Sequence, residues 1–162
     1  MLQKYAPYLI IAVLIIGFLV YNQQKDKREA AQSGPYIEQQ QAFLIGNKAK
    51  EGITTTASGL QYEILVPGDG VTFPTATDKV KVHYRGTLID GTEFDSSYAR
   101  NQPISFGLKQ VIAGWTEGLQ LMSVGSKAKL YIPAELAYGS RKAGSIPANS
   151  TLVFEVELLG IE

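Results

Sequence analysis

Asp78–Leu88 reads DKVKVHYRGTL. Val80, Val82 and Tyr84 fall on one side of an extended chain, and Lys79, Lys81, His83 and Arg85 on the other. This period of two marks a strand with one face buried. Ile89-Asp90-Gly91-Thr92 follows as a hairpin turn signal. Moving outward, Leu60–Val66 is a second strand candidate, closed by Pro67-Gly68-Asp69-Gly70, and Lys127–Ile132 and Leu152–Leu158 are two more. One good helix stands among them, Ile112–Leu121 (IAGWTEGLQL), stopped at Ser123-Val124-Gly125. Several strands, one helix and no βαβ alternation predict an α+β fold, an antiparallel sheet with a short α-helix packed on one face.

The chain has 162 residues, one domain's worth with a remainder. Lys+Arg and Asp+Glu number 15 each, yet residues 1–50 hold six basic and three acidic side chains and residues 51–162 hold nine and twelve. The globular part is mildly acidic, which argues against nucleic acid as a partner. The absence of Cys excludes disulfides, thiolate metal sites and cysteine nucleophiles. A single His excludes a His-cluster metal centre and makes any Ser-His-Asp chemistry depend on His83.

The remainder lies at the N-terminus. No charged residue occurs from Tyr5 to Gln24, and Tyr5–Tyr21 (YAPYLIIAVLIIGFLVY) is apolar over 17 residues, the short limit for crossing a bilayer. Tyr5, Tyr8 and Tyr21 sit near its ends, where amphipathic rings favour the interface. A cleavable signal peptide would need small residues after the apolar run; residues 18–24, FLVYNQQ, offer none. A transmembrane anchor over 1–22 is therefore expected. Lys25, Lys27 and Arg28 would by charge count keep the C-terminal flank in the cytoplasm, but a short basic tail before an apolar core is also how an export signal looks. Residues 23–50 read as a polar tether, broken at Ser33-Gly34-Pro35. A short helix over 36–50 follows, either a solvated spacer or a helix that packs on a partner, with Gly52 suited to its C-cap.

Familiar catalytic parts are missing. His83 falls on the polar face of its strand and reads as a surface residue. G-x-S-x-G is absent, and the glycine-rich stretches carry no Walker lysine pattern. What stands out is aromatic residues close to turns: Tyr84, Phe94, Phe106, Trp115, Tyr138 and Phe154. They form either an ordinary core or a ring-lined pocket with a few polar handles.

The run VHYRGTLIDGTEFDSSYARNQPISFGLKQVIAGWTEGLQLMSVGSKAKLYIPAELAYG and the terminal STLVFEVELLGIE resemble the FKBP-type peptidyl-prolyl cis-trans isomerases, most closely their bacterial, Mip-like members. The lead-in EGITTTASGLQYEIL resembles the segment that joins the dimerisation helix to the catalytic domain in that branch. The resemblance covers Glu51 to Glu162 and implies a curved antiparallel sheet wrapped around one helix. It also implies a proline pocket lined by Tyr84, Phe94, Asp95, Phe106, Val111, Ile112, Trp115, Tyr138, Ile146 and Phe154. Trp115 would be its floor. Tyr84, Asp95 and Tyr138 would be its catalytic polar groups, and the Ile112 N–H and Tyr138 hydroxyl would bond carbonyls of the bound peptide. Ile104 stands where many eukaryotic members carry a ring, and the loop Gly139–Ile146 has neither ring nor histidine. Both departures are placed at the pocket rim and bear on substrate preference and drug affinity.

Three segments follow from this reading: an anchor at 1–22, a tether at 23–50 and an isomerase domain at 51–162. The expected activity is prolyl isomerisation, which breaks no bond and needs no metal or cofactor. The alternative is a non-catalytic chaperone or binding module for Pro-containing segments. Expected partners are Pro-containing polypeptide clients, macrolides such as tacrolimus or rapamycin as inhibitors, and a membrane through residues 5–21. The family leaning places the domain in the periplasm, on a single-pass inner-membrane anchor. A monomer or weak dimer is expected, because the tether lacks the long helical arm of the Mip-like proteins.

Overall fold

The computed structural model describes residues 6–162, without the side chains of 6–14, 16 and 25–32. The chain divides into two compact units, Met1–Glu38 and Gln39–Glu162. Helix α1, Ala6–Lys48, occupies the first and enters the second. The break expected at Ser33-Gly34-Pro35 is absent, and so is the expected lack of a long helical arm: α1 has 43 residues and carries Pro35 inside it. A proline forfeits one backbone bond and costs about 3 kcal/mol in a helix interior, and strong helix formers on both sides outweigh one such penalty. Among the described residues no helix is long and apolar enough to cross a membrane, so neither the anchor expected over 1–22 nor a single-pass inner-membrane placement is supported. Residues 1–5 of that run lie outside the described residues, as do the side chains of 6–14 and 16.

The second unit is built on one seven-stranded antiparallel sheet. Its strands are β1 (Thr54–Thr55), β2 (Gln61–Val66), β3 (Lys79–Leu88), β4 (Glu93–Ser96), β5 (Ile104–Gly107), β6 (Lys127–Ile132) and β7 (Leu152–Ile161). The order is β1-β2-β6-β7-β3-β4, with β5 also on β3. β3 is the central element. It pairs with β7 from Val80 to Leu88, with β5 at Lys79–Val82 and with β4 at Arg85–Thr87. Its alternation is the one expected: Val80, Val82 and Tyr84 are buried, while Lys79, Lys81 and Arg85 are exposed. The register of β3 against β7 shifts between Lys81 and Val82, the kind of irregularity that bends a sheet.

Helix α2, Ala113–Gln120, lies on the inner face and buries Gly114, Trp115, Gly118 and Leu119. Two glycines four residues apart set its distance from β6. A Cβ on Gly114 would lie 2.4 Å from Ile132 Cγ2, and one on Gly118 would lie 2.8 Å from Leu130 Cδ1. Around this contact Val80, Val82, Leu108, Leu119, Met122, Leu130, Ile132, Leu152, Val156 and Leu158 close the core.

The last turns of α1 pack on the same unit, whose first residue is Gln39 rather than 51. Thr151 N–H donates to Gln40 Oε1 at 2.9 Å, Asn47 Nδ2 to Gln61 Oε1 at 2.9 Å, and Gln61 Nε2 to the Leu44 carbonyl at 2.9 Å. Phe43 leans on Tyr131 with ring centroids 6.1 Å apart. The segment that read as spacer or docking helix thus packs on its own sheet. The helix stops at Lys48, and Gly52 turns the chain beyond it with φ +84°.

Candidate functional site

The inner end of the sheet opens into a cavity of about 500 Å³. Each side chain that lines it arrives by a local rule. On β3, Tyr84 takes the inward parity that Val80 and Val82 share. The hairpin after β3 brings Phe94 and Asp95 back on β4, opposite Gly86. Gly86 leaves the space those rings need: a Cβ there would lie 2.6 Å from Phe94 Cζ and 2.7 Å from Phe154 Cε1. Phe106 comes from β5, Trp115 from the first turn of α2, and Phe154 from β7. Val111 and Ile112 precede α2, Tyr138 follows the short 3-10 turn at Ala134–Leu136, and Ile146 closes the next loop.

All ten sequence-selected residues therefore line one cavity. Like Tyr84, at 3%, Trp115 is almost fully enclosed, only 4% exposed. Tyr84, Phe106 and Phe154 meet it edge-on at centroid distances of 5.3, 5.4 and 5.3 Å and interplanar angles of 82–87°. Phe94 and Phe154 repeat the arrangement at 5.4 Å. Edge-to-face packing fixes ring planes more tightly than aliphatic contact does. Donors at the cavity without an acceptor among the described residues include the Ile112 N–H, at the N-cap of α2, the buried Trp115 Nε1–H, and the hydroxyl of Tyr138, a residue 39% exposed.

Polar chemistry concentrates at Asp95. Tyr84 Oη donates to Asp95 Oδ2, and Arg100 Nη1 donates to Asp95 Oδ1 at 2.6 Å. Arg100 Nη2 reaches Tyr84 Oη at 3.1 Å, with the guanidinium 6.0 Å above the Tyr84 ring. Partial burial pushes the Asp95 carboxyl up, but hydrogen bonds from Tyr84 and Arg100 together with the Arg100 charge outweigh it and hold the pKa below 3.8. Burial first, then the bond to Asp95, raises the Tyr84 hydroxyl above its ordinary value. At neutral pH the pair is a carboxylate and a neutral phenol.

Gly86, Arg100, Gln110, Ala137 and Arg141 also belong to the site or its support, and sequence reasoning missed them. Arg100 lies five residues past Asp95, on a turn, and nothing in its local pattern separates it from a solvated arginine. Ile104, expected at the rim, pairs with Val82 and packs on the core, outside the cavity-lining residues. His83 is on the outer face as expected, but it is held rather than solvated. Its Nδ1 lies 2.7 Å from Ser97 Oγ, and its ring stacks on Tyr98 at 4.5 Å. Ser97 Oγ also accepts the Tyr84 N–H at 2.7 Å, so His83 braces the strand behind the cavity.

Comparison with known proteins agrees with this geometry. Residues 70–159 match the family described as FKBP-type peptidyl-prolyl cis-trans isomerase, and residues 13–64 match the domain amino terminal to it. The chain is similar to the FKBP-type peptidyl-prolyl cis-trans isomerase FkpA of Aeromonas hydrophila, 61% identical over 120 residues that make up 74% of this chain and 44% of that protein. It is also similar to the FKBP-type 22 kDa peptidyl-prolyl cis-trans isomerase of Escherichia coli K12, 53% identical over 139 residues, 85% of this chain and 64% of that one. The crystal structure of FkpA from Escherichia coli superposes with a TM-score of 0.76 at 45% identity, covering 86% of this chain and 64% of that one. The chain thus spans between 44% and 64% of the length of these relatives. By its sheet, its ring-lined cavity and these matches, the chain belongs to the FKBP-type peptidyl-prolyl cis-trans isomerase family.

Proposed function

We propose that the chain catalyses cis–trans rotation about X–Pro bonds of polypeptide clients in the cavity floored by Trp115. The observation that carries the reading is the pairing of an aromatic box with unpaired donors, among them the Ile112 N–H and the Tyr138 hydroxyl. The barrier to rotation is about 18–20 kcal/mol and uncatalysed times are about 10–100 s. The planar amide is polar because it is conjugated, and the twisted transition state has lost that conjugation. An apolar enclosure favours the twisted form over the planar one. Donors at fixed positions hold the flanking carbonyls while the bond turns. Each tenfold of rate requires about 1.4 kcal/mol, so a few such contacts supply useful acceleration.

Asp95, Tyr84 and Tyr138 act in this reading as polar walls and donors, with no proton transferred. Clients are Pro-containing segments, and tacrolimus or rapamycin would occupy the same cavity through a ring that mimics proline. Direct isomerisation kinetics on a Leu-Pro peptide with the full chain test the reading. Turnover that is lost with Tyr138→Phe and Asp95→Ala together supports it. Peptide binding without turnover would transfer the assignment to a non-catalytic chaperone.

Membrane attachment through residues 5–21, with the domain on the extracytoplasmic side of a bacterial inner membrane, rests on the uncharged run and on the exposed Phe18, Leu19, Val20 and Tyr21. A topology reporter after Glu162 and alkaline extraction of membranes test it, and recovery of the chain in the soluble fraction overturns it.

A further inference from the structure

Two of the residues that line the cavity carry charge, Asp95 and Arg141, and their circumstances differ. Asp95 is met inside the protein by Tyr84 and by Arg100. Arg141 has no carboxylate within 4.0 Å among the described residues, and neither has its neighbour Lys142. The loop that carries Arg141 is built rather than loose. Arg141 N–H donates to the Tyr138 carbonyl at 3.2 Å, and Asn149 N–H donates to Gly139 O at 2.8 Å. Ala143 and Ile146 exchange two backbone bonds of 3.0 and 2.9 Å. Gly139 and Gly144 supply the left-handed turns at φ +60° and +56°. An uncompensated cation is thereby held at the mouth, three residues from a hydroxyl that faces the same cavity.

Resting on the isomerase reading above, we propose that Arg141 makes the site select prolines flanked by an acidic residue, with the Asp or Glu carboxylate of the client pairing with the Arg141 guanidinium. The rest of the cavity is mainly ring and aliphatic surface with the uncharged Gln110 amide and two tyrosine hydroxyls, and its one carboxylate is already paired with Arg100, so a client carboxylate meets no opposing free charge. Arg141 is solvent-exposed. The preference is therefore modest, about two- to fivefold, and falls as salt shortens the screening length from about 10 Å at 0.1 M.

The test uses the full chain and two peptide series with Glu, Gln or Lys placed directly before or directly after the proline. Specificity constants come from direct isomerisation kinetics and affinities from calorimetry, at low and high salt. The expected result is a Glu-over-Gln ratio of about two to five in one series at low salt, shrinking at high salt. Arg141→Lys retains that ratio, and Arg141→Glu inverts it toward Lys. A ratio of one in both series, or a Glu preference unchanged in Arg141→Glu, overturns the proposal. Absence of turnover on every peptide, with the Glu preference and its inversion retained in calorimetry, overturns the isomerase reading and upholds the charge selection.

Discussion

Arg100 serves two partners at once, the Asp95 carboxylate and the Tyr84 hydroxyl, and a planar fork does this where an ammonium cannot. Arg100→Ala should lower kcat/KM severalfold, with Arg100→Lys recovering only part, as read by isomerisation kinetics. The same network has a pH signature. The Asp95 pKa is held below its ordinary value of 3.8. Its stabilisation is therefore complete above that value and is lost as pH falls through the folded-state pKa. Asp95→Asn never has this contribution, so its stability should decline less than wild type as pH falls below about 4, measured by denaturant titration at each pH. Activity itself should be flat across neutral pH, because neither Asp95 nor Tyr84 titrates there. His83→Ala should leave turnover nearly intact and cost on the order of 1 kcal/mol in stability through loss of the Tyr98 stack.

Helix α2 works because two small residues let it approach β6. Replacing Gly with Ala in an exposed helix gains up to about 1 kcal/mol from propensity. At Gly114 the new methyl would meet Ile132 Cγ2 at 2.4 Å inside a closed core. Overpacking of that kind costs about 1–3 kcal/mol, so Gly114→Ala should destabilise despite the better propensity. On β3, Gly86→Ala should spare the fold more than the site, because its methyl would push the Phe94 and Phe154 rings that wall the cavity. The check is a larger proportional loss in kcat/KM than in folding stability. These elements also show where the chain's pattern is silent. β4 and β5 have four residues each, too few to display a period, and every β5 residue is half-buried.

The compact unit starts at Gln39, so the end of α1 packs with the sheet that carries the cavity. A fragment of residues 51–162 would lose Phe43, Gln40 and Asn47, leaving the Thr151 N–H and the Gln61 amide without partners. Losing such a bond to water costs about 0.5–1.5 kcal/mol net, and in a domain near 100 residues each kcal/mol moves Tm by about 4–8 °C. Residues 39–162 should therefore melt several degrees above residues 51–162, and equal melting temperatures would show the helix end to be dispensable. Trp115 is the single Trp of the whole chain, so its emission reports the cavity with no other indole contributing. Saturable change on adding rapamycin is the expected outcome; calorimetric binding with unchanged emission would place the ligand away from the indole.

Much of the site is legible in the amino-acid sequence. Val80, Val82 and Tyr84 alternate over a strand long enough to show its period, and the helix around Trp115 is bounded by its own stop signal. The run that resembles the family carries the ten cavity residues in order, and the resemblance, not periodicity, is what singled them out as a set. Three things were decided only by the tertiary structure. Ser33-Gly34-Pro35 reads as a break because local propensity is summed over a few residues, whereas a helix with good formers on both sides tolerates one missing bond. Gln40, Asn47 and Gln61 look like solvent-facing amides until the sheet's outer face supplies their partners. Arg100 and Arg141 are indistinguishable along the chain. One pairs with Asp95, and the other meets no carboxylate among the described residues and lines the cavity unpaired. Periodicity reports which face a residue takes, but the partner it meets there depends on contacts between segments far apart in the chain, which no local pattern encodes.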